Sequence, residues 1–99
     1  GRMFVCGGLG SGKRPLRSVE SFNFEAGAWE ASPPMAVPRS GAAAACVAGR
    51  LCVFGGYGDS GSGCQHLNSV EQLDPTYGQW VAMANMAERR LFAVAVATR

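Results

Sequence analysis

The chain has 99 residues, 47% of them hydrophobic and 16% charged, with a formal net charge of +2 at pH 7. This length suits one small folded unit with a modest core. Nine basic residues are scattered along the chain and offset by seven acidic ones, so we expect no nucleic-acid partner, which would require concentrated positive charge. No apolar run approaches the ~20 residues of a membrane-spanning helix, and we expect no membrane partner.

Two copies of one pattern make up the chain. GRMFVCGG at residues 1–8 recurs 48 positions later as GRLCVFGG at residues 49–56, and Trp29 recurs 51 positions later as Trp80. A three-residue insertion after Gly56 accounts for the difference. A repeat of about 50 residues with a Gly-Gly doublet and one Trp is the period of a β-propeller blade. The sequence therefore predicts an all-β fold of about two four-stranded antiparallel blades.

Each copy contains the same strands in the same order. A dense apolar run ending in Gly-Gly is typical of a strand buried on both faces. A polar, Gly-rich loop follows it, at residues 9–17 and 57–68, and a segment that alternates apolar and polar residues then predicts a half-exposed strand. A weaker strand around the Trp and a run of small residues complete the repeat. The predicted strands are, in chain order, 2–6, 18–24, 28–35, 41–48, 50–54, 69–75, 79–86 and 92–97.

The small-residue strand should be innermost, because small side chains suit the crowded centre of a radial array of blades. The Gly-Gly strand is then second, the Val-Glu strand third and the Trp strand at the rim. On this order, residues 39–86 form one whole blade and residues 1–38 supply the outer three strands of the preceding blade. Residues 87–99 supply the inner strand of the next blade, so the chain ends are out of phase with the blades.

Two kinds of residue recur at fixed positions and are predicted to be structural. The glycine doublets end a strand where the backbone needs a positive φ or where a side chain would collide with a neighbour. A Trp at one fixed position in each repeat is expected to pack in the core between blades. These structural residues are Gly7, Gly8, Trp29, Gly55, Gly56 and Trp80.

The four cysteines are expected to be free. Cys6, Cys46 and Cys52 lie in apolar runs, where free cysteine behaves as a small hydrophobic residue, and Cys64 lies in a loop. A bridge between Cys46 and Cys52 across a hairpin turn is an alternative. One His and the absence of a CxxC or HxxxH pair argue against a metal site. Free cysteines favour a reducing compartment and hence a cytoplasmic location.

These residues together resemble the kelch repeat. The second copy provides GRLCVFGGYGDSGSG, LNSVEQLDP, QW and MAERR, and the first copy departs from the pattern because Phe22 and Phe24 straddle the position of its spaced aromatic. The strings LNSVEQLDP and GGYGD look most like the kelch propellers of BTB-kelch proteins, which are substrate adaptors of cullin-type ubiquitin ligases. The resemblance implies a partial kelch propeller and a role in protein–protein interaction.

The resemblance also implies where a protein or peptide ligand binds. In this family, peptides contact the loop between the second and third strands and the turn that enters the innermost strand. Carried over by position, this nominates Arg39, Ser40, Tyr57, His66 and Arg90. The arginines suit an acidic peptide because they are planar bidentate donors. The alternatives are that the two arginines hold the turns through loop carbonyls and that His66 is a solvated loop residue.

The first copy is a weaker part of this expected face. Leu9 and Pro15 stand at the positions of Tyr57 and His66, although Lys13 and Arg14 could reach the face.

No enzymatic function or cofactor is predicted. GGLGSGKR at residues 7–14 has most of a phosphate-binding loop, but Arg14 and Pro15 follow the Lys where Ser or Thr and a helix are needed. Two alternatives to the adaptor function remain. One is a structural or actin-associated kelch protein that binds through blade edges around residues 24–32 and 75–82. The other is self-assembly, in which further kelch blades from the parent chain or from other copies of this chain complete a closed ring.

Overall fold

The computed structural model of the chain describes residues 3–92, and nine β-strands lie within that range. Every pairing between these strands is antiparallel. One short 3-10 turn, Ser11–Lys13, lies in the first long loop, and no helix in the described range is long and apolar enough to cross a bilayer. The strands are β1 Met3–Cys6, β2 Val19–Asn23, β3 Ala28–Ser32, β4 Ala43–Val47, β5 Arg50–Phe54, β6 Tyr57–Asp59, β7 Cys64–His66, β8 Val70–Asp74 and β9 Gln79–Met83.

The first sheet has three strands in the order β1-β2-β3. Its central strand β2 alternates as the sequence predicts, because successive side chains project to opposite faces of a sheet. Val19 and Ser21 are buried, whereas Glu20 between them is exposed. The two faces of this sheet therefore have different surroundings.

The second sheet has four strands in the order β4-β5-β8-β9. The small-residue strand stands at one edge, the Gly-Gly strand comes second, the Val-Glu strand third and the Trp strand last, which is the predicted order. Leu51, Cys52 and Val53 of β5 are all buried, as expected of a strand covered on both faces. The all-β antiparallel fold class is confirmed.

The blade boundaries at 1–38, 39–86 and 87–99 stay a prediction. The last of these segments was expected to hold the inner strand of a further blade, over residues 92–97. Residues 93–99 lie outside the described part of the chain.

A third, two-stranded sheet occupies the segment predicted as a plain loop at 57–68. Strands β6 and β7 form a hairpin in which Tyr57 pairs with His66 and Asp59 with Cys64. Gly58 on β6 is buried, and a Cβ there would collide with the Pro38 carbonyl oxygen. The absence of a side chain therefore lets the hairpin pack closely against the segment that enters β4.

The hydrophobic core lies between the first and second sheets. Val19 and Met35 come from the first sheet and the segment that follows it, and Leu51, Val53 and Leu73 come from the second. Met35 and Val53 have no exposed surface at all. Four partly buried residues pack around this cluster. They are Phe4, Cys6, Ala42 and Trp80.

The two tryptophans have different surroundings. Trp80 packs on the core between the sheets, and its indole Nε1 donates a hydrogen bond of 2.8 Å to the Pro33 carbonyl. Trp29 is 47% exposed and packs edge-on against Phe22, with ring centroids 5.2 Å apart. Trp29 is not part of the core cluster between the two described sheets, and its expected place between blades stays a prediction.

The glycine doublets adopt the backbone that their position requires. All four residues have positive φ, for example +67° at Gly7 and +63° at Gly55. A Cβ at Gly55 would stand 2.6 Å from the Arg90 carbonyl oxygen, and one at Gly7 would collide with that of Arg39. Both the dihedral angle and the available space therefore require glycine at these two positions.

The cysteines are free thiols. The alternative of a Cys46–Cys52 bridge is wrong, because the β4–β5 register pairs Cys46 with Leu51 and Cys52 with Ala45. Burial, with a smaller contribution from the nearby Cys46, raises the pKa of the Cys6 thiol to about 11.

Candidate functional site

The candidate site lies at the end of the sheets where the segment entering β4 meets the β6–β7 hairpin. Ser40 and Tyr57 exchange two backbone hydrogen bonds of 2.8 Å, one in each direction. The Ser40 hydroxyl oxygen is 3.5 Å from the Tyr57 carbonyl oxygen. These two predicted site residues lie 17 positions apart in the sequence, and the backbone brings them together.

Tyr57 and His66 are neighbours across the hairpin. They are directly opposed in the β6–β7 register, and their rings meet edge to face with centroids 5.9 Å apart. Tyr57 is 36% exposed and His66 is also exposed. The pair therefore presents an aromatic surface with a hydroxyl group and an imidazole.

Asp59 fixes the tip of this hairpin. Its carboxylate oxygen Oδ1 accepts backbone hydrogen bonds from Gly61 at 2.8 Å and Gly63 at 3.0 Å. The sequence carries a signal for this role, because an Asp two residues before a Gly is typical of such a turn. The tip is held by local bonds, which limits the conformations available to β6 and β7.

Two arginines follow β9 at the same end of the sheets. The Arg90 backbone donates to the Leu67 carbonyl at 3.0 Å and accepts from the Gly56 amide at 2.8 Å, which places it beside the hairpin. The Arg90 side chain is 55% exposed, with its Nη2 atom 3.8 Å from a Glu88 carboxylate oxygen. Arg89, which the sequence analysis missed, donates from Nη1 to the His66 carbonyl at 2.9 Å and is exposed.

Arg39 does not belong to this exposed set. Its side chain has no exposed surface and donates to the Glu71 carboxylate from Nε at 3.1 Å and from Nη2 at 2.9 Å. Nη1 donates to the carbonyls of Gly55 and Ser69 at 2.9 Å, and Nη2 donates to the Ser69 hydroxyl. Its nomination as a partner contact is therefore corrected, because every nitrogen of the buried guanidinium is bonded within the fold.

Glu71 completes this buried network. Its two carboxylate oxygens accept backbone hydrogen bonds from Ala36 at 2.7 Å and Val37 at 3.2 Å. Glu71 thus holds both the side chain of Arg39 and the backbone of the connecting segment between the two sheets. This network sets the position from which Ser40 reaches Tyr57.

In the first copy, the loop at residues 9–17 is a smaller counterpart of the segment that forms the β6–β7 hairpin. Leu9 and Pro15 form a bridge at the positions of Tyr57 and His66, and Leu9 is 59% exposed. Lys13 and Arg14 are exposed beside the 3-10 turn. Within residues 3–92, no group of three or more His, Cys, Asp or Glu side chains could hold a metal ion.

Comparison with known proteins identifies the repeat. The family model of the Kelch motif matches residues 1–36 and 38–87. The chain belongs to the kelch-repeat family. The two matched segments correspond to the two copies of the pattern, so the repeat period read from the sequence is the kelch period.

Several curated proteins are similar to this kelch chain. Kelch-like protein 35 of Mus musculus is 39% identical over 80 residues, which is 81% of the chain and 13% of that protein. Kelch-like protein 8 of Mus musculus is 32% identical over 76% of the chain and 11% of that protein. The F-box/kelch-repeat protein SKIP20 of Arabidopsis thaliana is 33% identical over 86% of the chain and 21% of that protein. The kelch chain thus spans less than a quarter of the length of these relatives.

A solved structure supports the same architecture. The structure of YjhT superposes with a TM-score of 0.80 at 25% sequence identity, and the match covers 98% of the kelch chain and 28% of that chain. The arrangement of the two sheets is therefore that of adjacent blades in a kelch propeller.

Proposed function

We propose that this kelch chain is part of a protein-recognition propeller and binds a peptide at the end that carries Ser40, Tyr57, His66 and Arg89. The observation that carries the proposal is the exposed Tyr57–His66 pair, which the Ser40 backbone and the Arg89 guanidinium hold from two sides. Tyr and Arg are among the residue types enriched at the energetic hot spots of protein interfaces. Membership of the kelch family supports a protein-interaction module.

The chemistry of this end favours an acidic ligand. Arg89 uses Nη1 on the His66 carbonyl, and its planar guanidinium has further donors suited to a carboxylate. The Asp59 carboxylate accepts hydrogen bonds from two backbone amides at the hairpin tip. Arg90 stays a predicted peptide contact, with its Nη2 atom 3.8 Å from a Glu88 carboxylate oxygen.

We further propose that the parent protein is a substrate adaptor of a ubiquitin ligase and acts in the cytoplasm. The names of the relatives support this proposal, since two are Kelch-like proteins and one is an F-box/kelch-repeat protein. The strings LNSVEQLDP and GGYGD support it as well. In such a protein the end that carries Ser40, Tyr57, His66 and Arg89 would bind the substrate, and other domains would contact the ligase.

Peptide binding tests the proposed site. Fluorescent peptides rich in Asp and Glu are titrated with the chain, alongside peptides of the same length rich in Lys and Arg. We expect the acidic set to bind more tightly, and we expect Tyr57→Ala and Arg89→Ala each to weaken it by about tenfold, as typical interface contacts do. Tyr77→Ala and Arg50→Ala are the matched controls, because both residues are exposed at the opposite end of the second sheet.

Two outcomes would contradict this site. Equal binding of acidic and basic peptides would contradict the charge preference. Loss of binding in Tyr77→Ala, with Tyr57→Ala unaffected, would instead support a structural or actin-associated kelch protein that binds through its blade edges. Val81 and Met83 on the edge strand β9, 48% and 44% exposed, would then be the next residues to test.

A further inference from the structure

The loops of the two copies are joined by one continuous series of backbone pairs. In order across this end of the sheets, the bridged pairs are Leu9–Pro15, Leu16–Arg39, Ser40–Tyr57 and Tyr57–His66. The last residue of each pair is the first residue of the next pair or its neighbour in the chain, so five short segments lie side by side. We call these five segments the ladder. It runs without a break from the first copy to the second.

Five side chains lie on one side of the ladder. Residues bridged to each other project to the same side of a sheet, and consecutive residues project to opposite sides. Arg39 points into the fold, with no exposed surface, and its bridge partner Leu16 shares that side and packs against Gly10. The opposite side carries the remaining residues of the ladder, which we call the row. They are Leu9, Pro15, Ser40, Tyr57 and His66.

The apolar end of the row belongs to the first copy. Leu9 is 59% exposed, and Pro15 opposite it is half-buried. The amides of Gly10 and Leu16 donate the hydrogen bonds that flank this pair, each at 2.8 Å. Pro15 therefore occupies a place in the ladder that needs no amide hydrogen, which is where a proline costs no backbone bond. The first loop thus presents two adjoining apolar side chains in a fixed position.

The exposure of Leu9 is a property of its place in the repeat. Tyr57 is the equivalent residue of the second copy, and it is paired on both sides, with Ser40 and with His66. Tyr57 is still 36% exposed. This position therefore stays accessible to a ligand when the segments on both sides of it are in place.

The other end of the row is polar and cationic. The rings of Tyr57 and His66 meet there, and the exposed Arg89 donates to the His66 carbonyl at 2.9 Å. Ser40 lies between the two ends, and its small side chain allows a bound peptide backbone to approach the ladder closely. The row thus offers an apolar contact at one end and a donor for an acidic group at the other.

The distance between these two ends sets the spacing of groups in a ligand. From the middle of the Leu9–Pro15 pair to the middle of the Tyr57–His66 pair is three steps of the ladder. Neighbouring strands lie about 4.8 Å apart, so this distance is about 14 Å. An extended peptide rises about 3.3 Å per residue and covers it in about four residues.

We propose that the proposed site binds an amphipathic acidic peptide, with an apolar side chain on Leu9 and Pro15 and an acidic side chain at Arg89, about four residues away. This inference rests on the proposed function, because it assigns a second contact to the same site. The ladder supports it by holding both ends of the row in one backbone structure. An apolar side chain that covers Leu9 removes its exposed surface from water, which favours binding.

Fluorescence anisotropy titrations on the full chain test the proposal with three peptides of equal length. The first carries a Leu and an Asp-Glu pair about four residues apart, in a Ser-Thr background and in both orders. The second has Ser in place of the Leu, and the third has Asn-Gln in place of Asp-Glu. We expect the first peptide, in one order, to bind about fivefold more tightly than the second, because half-exposed apolar surface is buried on both partners.

Variants of Leu9 connect this preference to the row. Leu9→Ser should remove the fivefold difference and leave the affinity of the second peptide unchanged, whereas Leu9→Met, which stays apolar, should retain the difference. Val47→Ser is the matched control, because Val47 is 43% exposed at the far end of β4. Equal binding of the first and second peptides in both orders would overturn the proposal. A Leu9→Ser variant that keeps the preference, or weakens both peptides equally, would overturn it as well.

The acidic contact is measured separately, so that the two proposals fail in different ways. Arg89→Ala should weaken the first and second peptides and leave the third unchanged. If neither Arg89→Ala nor Tyr57→Ala affects any peptide, the proposed peptide site is wrong, whatever the effect of Leu9→Ser. If both variants weaken binding and Leu9→Ser does not, the peptide site stands and its extension to the first copy is wrong. Binding of none of the three peptides would overturn both proposals.

Discussion

Removal of the Arg39 side chain should destabilise the kelch chain strongly. In the native structure the guanidinium makes five hydrogen bonds, and Arg39→Ala would leave the Glu71 carboxylate, 3% exposed, without its counter-ion. Breaking a buried ion pair by removing one partner costs about 3–5 kcal/mol. The backbone amides of Ala36 and Val37 still donate to Glu71, so we expect the lower half of that range. The total free energy of unfolding of a domain of this size is about 5–15 kcal/mol.

Urea unfolding followed by tryptophan fluorescence measures this loss, because Trp80 lies partly buried between the two sheets. The control is Arg50→Ala, an exposed arginine whose Nη1 is 3.4 Å from the Gln72 side chain, with an expected change within about 0.5 kcal/mol. The double variant Arg39→Ala, Glu71→Ala should lose less than the sum of the single losses, since the two side chains are coupled. A loss below about 1 kcal/mol for Arg39→Ala, or strict additivity, would refute the reasoning.

Two further predictions concern Trp80 and Cys6. Trp80→Phe removes the hydrogen bond to the Pro33 carbonyl and should lower the free energy of unfolding by about 1–3 kcal/mol, whereas Trp29→Phe, on the exposed side, should have a smaller effect in the same denaturation assay. The pKa of Cys6 is raised to about 11, mainly by burial, so its reactive thiolate is scarce at pH 8 and increases as the pH rises toward 11. Mass spectrometry after iodoacetamide treatment at pH 8 should therefore find Cys64, which is exposed, modified before the partly buried Cys6. Equal rates would contradict the raised pKa of Cys6.

The strand order could be predicted because each strand has its own composition. Runs of alanine, the Gly-Gly endings and the Val-Glu alternation are local signals, and they recur at one spacing in both copies. The β6–β7 hairpin could not be predicted in this way. Its residues are rich in Gly and Ser, and its pairing depends on contact with distant positions, such as Gly58 with Pro38 and Tyr57 with Ser40.

The structure brings together two of the residues nominated for the candidate site, and peptide binding there stays a prediction. Ser40 and Tyr57 meet as expected, whereas Arg39 points the other way. Arg39 and Ser40 are adjacent in the chain and lie in extended backbone. Successive side chains of an extended chain project to opposite sides. Bridges to Leu16 and Tyr57 fix which side each one takes. Sequence position alone does not distinguish these two directions.

The buried ion pair also connects stability with the proposed peptide-binding site. Arg39 and Glu71 hold residues 36–39 against the second sheet, and the next residue, Ser40, forms the backbone pair with Tyr57. A change at Arg39 should therefore loosen the hairpin that presents Tyr57 and His66, although Arg39 itself is buried. In this kelch chain a buried contact thus determines the conformation of the proposed peptide-binding hairpin.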